Sequence, residues 1–480
     1  MLENSAISRP SSVVKKIDKD DNMILTSIFV GSVTAAVGYI YGSLLRASVD
    51  VFWKAFPAFL AARIGNFIVN PVFFVPAMVT LGGLVIGILS AKFPTTFAVS
   101  DFVSAFSKEN AGILPSSKVN LLPVLLMSLI TSAFGFSKGP EAPMVCAGGL
   151  IGASMSRLLY GKEDPEESNR HQETLAYAGA AGTLTAFMGI PIAGAIFALE
   201  MTRPNEGFAR AGERALPPSV VASLAALFLV RGLLLPGASV AGHFMYGPVG
   251  NLSGRVMVAT AVAAGVGGAL LGTLFHKLVA GLKSIFWKNT KKPWKRHIIV
   301  KTFVGLLVGC LGVFYPQTLF WGEGSLQAMV DGQQTAFSAT KHGLSQILSS
   351  HAIVNPHIPF QSWTSGVQIC LAKLLAIALS AAGKFPGGII FPLFYAAAPL
   401  AHAFAALTGP GVLPVAVMSL MAATQASATR TPLASSLILS LTASASSELS
   451  VMLPACLVAS YLSVDLSRRL SSKAYFEYGE

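Results

Sequence analysis

Long apolar stretches separated by short polar segments make up most of the 480-residue chain. A straight helix needs about 20 apolar residues to cross the hydrocarbon of a bilayer, and several of the stretches are shorter than that. The pattern predicts an all-α, polytopic membrane protein in which some helices do not span the bilayer. The stretches cover approximately residues 23–45, 73–91, 121–136, 142–155, 174–200, 216–235, 256–282, 298–321, 366–382, 387–407, 412–421, 433–441 and 451–464.

Glycine and proline interrupt the apolar pattern, as in Gly139–Pro143 (GPEAP) and Phe385–Gly388 (FPGG). One such break is most simply a loop or a kink, but backbone groups freed inside hydrocarbon must be buried in protein or line a water-filled cavity. Breaks in both halves are typical of transporters with broken, re-entrant helices. A faint echo between residues 185–197 and 428–438, each with a proline ahead of small residues, predicts two related halves.

Charge and composition narrow the class of protein. Only 12% of the residues are charged, against roughly 25% in soluble domains, and the mean hydropathy is +0.63. This excludes a soluble enzyme or nucleic-acid binder. The net charge of +12 arises in loops: Lys15, Lys16 and Lys19 precede the first stretch, and a basic cluster lies in 283–297. The positive-inside rule places both on the cytoplasmic side, although the cluster is equally compatible with a lipid-headgroup or nucleic-acid patch.

Two carboxylates, Glu141 and Glu200, lie directly before an apolar stretch and at the end of one, where charges are costly and mark function. Glu141 is expected in the first turn of a short helix, whose electropositive end binds anions. It either caps its own helix or occupies an anion site as a competitor that leaves when protonated or displaced. Glu200 either pairs with Arg203 or has a functional role. Gly388–Pro392 is expected to begin another such helix, unless its glycines serve ordinary helix packing, as expected at Gly268–Gly272.

These residues resemble the CLC family of chloride channels and anion/proton exchangers. Gly139–Pro143, followed by Gly148–Gly152, is similar to the gating motif Gly-Lys/Arg-Glu-Gly-Pro and the paired glycines behind it. Gly388–Pro392 is similar to the motif Gly-x-Phe-x-Pro, with Ile390 in place of the usual phenylalanine. Similarity also covers Ala186–Pro204 and Arg430–Leu433, so that it spans most of the chain, although no single motif is intact.

The resemblance implies a CLC-type fold of inverted repeats and a homodimer with one pathway per subunit. In this arrangement 1–22 is a cytoplasmic segment, 23–282 the first membrane repeat, 283–297 a cytoplasmic linker, and 298–480 the second repeat with a pore-lining helix at its carboxyl end. Glu141 would block the outer site when ionised and open it when protonated or displaced. The implied anion-binding residues are Thr96, Gly139, Gly388, Ile389, Ile390 and Tyr475.

Departures from the family pattern lead to further expectations. The motif Gly-Ser-Gly-x-Pro is missing, and a hydroxyl of Thr95 or, preferably, Thr96 would replace its serine. Helix ends would hold chloride without a full cation, since a lysine there would hold the ion too tightly. Pro140 replaces a basic residue, which predicts a weaker field for external anions. Proton-coupled members commonly carry a second glutamate after the position matching Glu200. Met201 occupies that position.

A thioether cannot carry a proton, and the inner position formed by Glu200 and Met201 therefore favours a passive anion channel gated by Glu141. Proton-coupled chloride antiport, with Glu200 as a substitute, is the alternative. An organic-solute transporter would share the architecture. A membrane enzyme or electron carrier is disfavoured, because no hydrolase motif occurs and His276 and His402 form no haem-ligand pattern.

The resulting hypothesis is a multi-pass membrane protein of a voltage-gated family, without enzyme activity, metal or cofactor. Its expected partners are chloride or a related anion, the lipid bilayer and a second copy of the chain, with no nucleic acid. The sequence leaves the anion selectivity, the host membrane and the gating stimulus undetermined.

Overall fold

Helices form almost all of the structure, which is a computed structural model that describes residues 11–93, 121–161, 164–202, 209–234, 244–249, 252–288, 293–335, 357–360, 362–443, 447–471 and 475. The first half contains α1 Ser11–Asp50, α2 Phe56–Arg63, α3 Pro71–Lys92, α4 Leu121–Ala133, α5 Glu141–Tyr160, α6 Pro165–Met188, α7 Pro191–Thr202 and α8 Ala209–Leu227. Single π-helical segments, Val51–Ala55 and Phe228–Leu234, follow α1 and α8.

The second half begins with α9 Gly254–Phe286 and α10 Pro293–Phe314. It continues with α11 Leu326–Val330, β1 Gln333–Thr335, β2 His357–Pro359, α12 Trp363–Ala382, α13 Ile390–Thr408, α14 Leu413–Thr429, α15 Pro432–Leu441 and α16 Leu449–Leu470. Three 3-10 turns, Pro316–Thr318, Glu323–Ser325 and Pro410–Val412, lie between the helices. The strands β1 and β2 pair antiparallel, with Gln334 opposite Ile358.

Ten helical segments in the described part of the chain are long and apolar enough to cross a membrane. The helices α4, α7 and α15 are apolar but shorter. The predicted all-α, multi-pass membrane architecture is therefore confirmed. The small β1–β2 ribbon was not predicted. Helix α1 begins twelve residues before the predicted stretch, and α9 and α10 extend into the basic segment 283–297, since lysine and arginine are good helix formers.

Equivalent backbone breaks occur in the two halves. Gly189 ends α6 in a left-handed conformation (φ 73°), and Pro191 starts α7 two residues later. Arg430 ends α14 in the same conformation (φ 63°), and Pro432 starts α15 two residues later. Because a proline lacks an N–H and favours the first turn of a helix, each break redirects the chain into a new short helix. The recurrence agrees with the sequence echo between the two halves.

Close helix packing in the centre of the protein depends on missing side chains. A Cβ on Gly268 of α9 would lie 2.5 Å from the Cβ of Ala423 on α14, and a Cβ on Gly272 would lie 1.9 Å from the Ser427 hydroxyl. The Ser427 hydroxyl donates to the Gly268 carbonyl at 2.8 Å. Gly268 and Gly272 therefore have the packing role that was expected of Gly268–Gly272, and they allow α9 and α14 to approach closely.

Substitution of Gly268 by valine is expected to destabilise the fold, because the added side chain would overlap α14. Overpacking of this kind costs about 1–3 kcal/mol or more. Gly281→Val is the matched control on the same helix, since no atom lies within 4 Å of a Cβ at Gly281. The midpoint of thermal unfolding in detergent should fall for Gly268→Val and stay near that of the wild type for Gly281→Val. Equal midpoints for the two variants would contradict the packing argument.

Candidate functional site

A backbone bridge joins the loops that precede α5 and α13. The amide of Gly139 donates to the carbonyl of Gly388 at 2.9 Å, and the amide of Gly388 donates to the carbonyl of Gly139 at 2.5 Å. A Cβ on each glycine would lie 2.1 Å from the same oxygen of Glu141, so that a side chain at either position would displace this carboxylate. The two halves of the chain therefore meet at this point, between the amino-terminal ends of two helices.

Both helix ends at the bridge are electropositive and lack a side-chain cap. Helix α5 begins at Glu141 and α13 at Ile390, and neither Pro140 nor Ile389 supplies a capping hydrogen bond. The first amides of a helix have no partner within the helix and carry about half a positive charge together. Gly139, Gly388, Ile389 and Ile390, the residues expected to bind an anion, lie together here and are all buried.

The carboxylate of Glu141 lies between these two helix ends. The side chain is fully buried, and neither of its oxygens has a hydrogen-bond partner among the described residues. The amides of Glu141 itself and of Phe391 are oriented towards it without reaching hydrogen-bond geometry. A buried carboxylate without partners is costly unless it is neutralised or leaves. The Glu141 carboxylate thus lies against both helix ends without a hydrogen bond from the described residues.

Tyr475, the tyrosine implied by the resemblance, reaches the same place. It is buried, its ring lies 5.5 Å from the ring of Phe275, and its hydroxyl accepts a hydrogen bond from Lys138 Nζ at 2.9 Å. The same ammonium donates to the carbonyl of Gly387 at 2.9 Å. The structure therefore brings Glu141, the Gly139–Gly388 bridge and Tyr475 together. Thr96 and its alternative Thr95 lie outside the described residues.

Lys138 differs from one expectation drawn from the sequence, that the site would hold an anion without a full cation. Instead, Lys138 stands two residues before Pro140, is fully buried, and directs its ammonium to Tyr475. The available signal in the sequence was a lysine between the apolar stretch 121–136 and the Gly139–Pro143 motif, because intramembrane lysines usually mark a pathway.

Glu200 lies in the last turn of α7 and binds the first turn of another helix. Its carboxylate accepts the amide of Leu433 at 3.2 Å and the amide of Ala434 at 2.7 Å, both at the start of α15. Thr431, which precedes α15, provides no side-chain cap. Glu200 therefore caps α15 from outside, while Arg203, its expected alternative partner, lies outside the described residues. Met201 is buried in the largest hydrophobic cluster.

A second carboxylate near Glu141, which the sequence did not single out, is Glu323. It is half-buried, accepts a hydrogen bond from Trp321 Nε1 at 3.1 Å, and is close enough to Glu141 to interact with it electrostatically. Burial raises the pKa of Glu323 to about 7, while the hydrogen bond from Trp321 and the positive charge of Arg46 oppose the rise. Glu323 therefore changes its charge near neutral pH.

Several hydrogen bonds fix the segment that precedes Glu323. The amide of Phe320 donates to the carbonyl of Gly135 at 3.0 Å, just before the bridge. The buried ammonium of Lys373 donates to three consecutive carbonyls, those of residues 318, 319 and 320. Phe320 itself has φ 58°, which is rare for an aromatic residue and persists only where its surroundings fix it.

Replacement of Glu200 by alanine is expected to lower the stability of the protein. Two amides of α15 would lose their acceptor inside the protein, at a cost of about 1–3 kcal/mol for a buried unsatisfied group. Glu200→Gln should cost less, because its amide oxygen still accepts one bond. Glu448→Ala is the matched control, since this exposed glutamate precedes α16 without capping it. Thermal unfolding in detergent measures the effect, and equal midpoints for Glu200→Ala and Glu448→Ala would exclude the capping role.

Several known proteins are similar to this chain in sequence. A ClcB-like chloride channel protein described from Ralstonia nicotianae is 27% identical over 372 residues, which cover 75% of each chain. The H(+)/Cl(-) exchange transporter ClcA of Vibrio cholerae is 22% identical over 333 residues, covering 67% of this chain and 66% of its own.

A solved structure is similar in fold, and a family model matches the sequence. The fold is similar to that of a slow cyanobacterial Cl-/H+ antiporter, with a TM-score of 0.71 and 16% identity over 95% of this chain and 96% of the other. The family model for voltage gated chloride channels matches residues 82–464, which is most of the chain. Together with the paired helix ends around Glu141, this match establishes that the chain belongs to the voltage-gated chloride channel family, the CLC family.

Proposed function

We propose that this protein exchanges chloride for protons across a membrane, as a homodimer with one pathway in each subunit. Anion transport itself follows from membership of the CLC family. The proposal adds the ion, the coupling to protons and the residues. Chloride would lie between the amino-terminal ends of α5 and α13, close to the hydroxyl of Tyr475.

The position of Glu141 is the observation that carries the proposal. Its buried carboxylate has no hydrogen-bond partner among the described residues and lies between two uncapped helix ends. Such a group can be relieved in two ways: it takes up a proton, or an anion displaces it. Because the carboxylate and the anion compete for the same position, the occupancy of the site by chloride and the protonation of Glu141 are linked.

Two of the similar proteins favour antiport over passive conduction. The Vibrio cholerae relative is named as an H(+)/Cl(-) exchange transporter, and the cyanobacterial structure is that of a Cl-/H+ antiporter. Backbone amides and hydroxyls suit the release of the ion, since conduction needs sites that are favourable but weak. Antiport, the alternative from the sequence, is therefore the preferred proposal.

A passive channel is the second candidate, and Met201 is the observation that favours it. This thioether stands where proton-coupled members commonly have a second glutamate, and it is packed in the hydrophobic core. The neighbouring Glu200 carboxylate is engaged with the amides of Leu433 and Ala434. In a channel, Glu141 would open the pathway without carrying protons through it.

The reversal potential of the reconstituted protein distinguishes the two candidates. In liposomes with fixed chloride gradients, an antiporter gives a reversal potential that shifts when a pH gradient is imposed, since protons share in the transport. We expect this shift for the wild type. Glu141→Gln removes the titratable group, and the variant should pass chloride without moving protons and without responding to pH.

Glu166→Gln is the control, because Glu166 is exposed and pairs with Arg170 on the surface of α6. It should keep the reversal potential of the wild type. A wild-type potential that ignores the pH gradient would favour the channel. A Glu141→Gln variant that still moves protons would remove Glu141 from the exchange.

Titration of Glu323 is expected to add a separate response to pH. With a pKa of about 7, this side chain is negative above neutral pH and uncharged below it. A negative charge beside the site repels anions, so that chloride flux should rise as the pH of the medium falls through 7. Glu323→Gln is uncharged at every pH. It should carry roughly threefold to tenfold more chloride at pH 8 than the wild type.

Chloride efflux from liposomes between pH 6 and pH 8 measures this response, with Glu448→Gln as the exposed control. In Glu323→Gln, the change in chloride efflux near pH 7 should disappear. The pH dependence of efflux that arises from Glu141 should remain. An unchanged profile in Glu323→Gln would show that the loop does not act on the pathway.

A further inference from the structure

Lys138 joins three parts of the candidate site through one ammonium group. Its Nζ donates to the carbonyl of Gly387, immediately before the bridge, and to the hydroxyl of Tyr475, both at 2.9 Å. The ammonium also lies 5.3 Å from the centre of the Tyr475 ring. The backbone of Lys138 is fixed as well, since its carbonyl accepts the Ser132 hydroxyl at 3.1 Å. The ammonium therefore has a defined place beside the site.

The chemistry of an ammonium sets the direction of the Tyr475 hydroxyl. An ammonium has three donors and no acceptor, and the tyrosine oxygen must therefore be the acceptor in this bond. The hydroxyl hydrogen is then directed to an acceptor other than Lys138. A halide at the helix ends is such an acceptor. The contact with the Phe275 ring, at 5.5 Å, restrains the tyrosine ring in the same position.

Positive charge is the second contribution of Lys138. Helix ends offer only about half a charge each, whereas the ammonium offers a full charge inside a buried region. Coulomb attraction falls with distance, and a small anion can approach the positive charge more closely than a large one. A full charge therefore favours small anions over large, diffuse anions more than helix ends alone do.

We propose that Lys138 is the fixed cation of the anion site, which orients the Tyr475 hydroxyl towards the anion and selects small halides over large anions. This inference rests on the proposed passage of chloride past Tyr475. Lys138 acts through the tyrosine hydroxyl and keeps its bond to Gly387, so that the anion contacts the hydroxyl and not the ammonium. The ion is therefore held less tightly than it would be by a lysine in direct contact.

Binding of chloride to the purified full-length protein, measured by calorimetry, tests the proposal. Lys138→Met should weaken chloride binding by about tenfold or more, because it removes a charge-assisted hydrogen bond and the charge itself. Thiocyanate binding, measured in the same way, should weaken less. Lys138→Arg retains a charge and donors, and it should keep the preference for chloride.

Lys301→Met is the matched control, since Lys301 is also buried and donates to a backbone carbonyl, that of Lys384. It should bind chloride as the wild type does. Lys138→Gln provides a second variant if methionine prevents folding, because its amide still donates but carries no charge. It should lose the preference for chloride over thiocyanate.

The link to Tyr475 has its own readout. If Lys138 acts through the hydroxyl, chloride affinity in Lys138→Met combined with Tyr475→Phe should be close to that of Tyr475→Phe alone. Additive losses, or unchanged chloride affinity in a folded Lys138→Met, would overturn the inference. Failure of the wild type to bind or transport any anion would instead overturn the proposed function, so that the two failures are distinguishable.

Discussion

Two hydrogen bonds between Gly139 and Gly388 form the constraint on which the candidate site depends. They bring the loop before α5 and the loop before α13 into contact, although 249 residues separate the two glycines along the chain. Since each loop leads directly into a helix, the bridge also fixes two electropositive helix ends a short distance apart. The carboxylate of Glu141 and the ammonium of Lys138 lie on either side of Gly139 in sequence and are therefore positioned by the same bridge.

Glu141 and Glu200 show how one kind of interaction serves two purposes. Both carboxylates lie at the amino-terminal end of a helix. Glu141 lies at the start of its own helix, α5, whereas Glu200 of α7 lies at the start of another helix, α15. Glu200 is satisfied by two amides of α15 and joins the two halves of the fold. Glu141 stands at the start of its own helix with neither oxygen hydrogen-bonded among the described residues. The difference lies in geometry alone, and it separates a structural carboxylate from one that is suited to exchange with an anion.

Charges of both signs surround the candidate site. In the proposed mechanism, Lys138 and the helix ends attract the anion, while Glu141 and Glu323 repel it when they are ionised. The loop that carries Glu323 is held by Lys373 and by the bond from Phe320 to Gly135. The opposing charges are therefore held in place by the fold, and they do not depend on the ion for their positions. In that mechanism, protonation of either carboxylate favours binding of the anion.

Periodicity and composition alone determined that the chain is a multi-pass helical membrane protein, because the bilayer imposes length and apolarity on any spanning segment. Local motifs were sufficient to place Glu141, Gly139 and Gly388 at the starts of helices, since proline and glycine act on the backbone within one turn. The short helix expected after Glu141 is instead 20 residues long and could cross a membrane. Met201 could likewise be noticed from the sequence as a position without a titratable group.

The contacts across the chain were decided only by the tertiary structure. Nothing local indicates that Lys138 reaches Tyr475, 337 residues away, or that Glu323 comes to lie near Glu141. Nor does the local sequence distinguish a capping Glu200 from one paired with Arg203, because a carboxylate accepts whichever donor the fold brings within reach. Short-range sequence rules describe backbone preferences, whereas the partner of a charged side chain is set by the packing of distant helices.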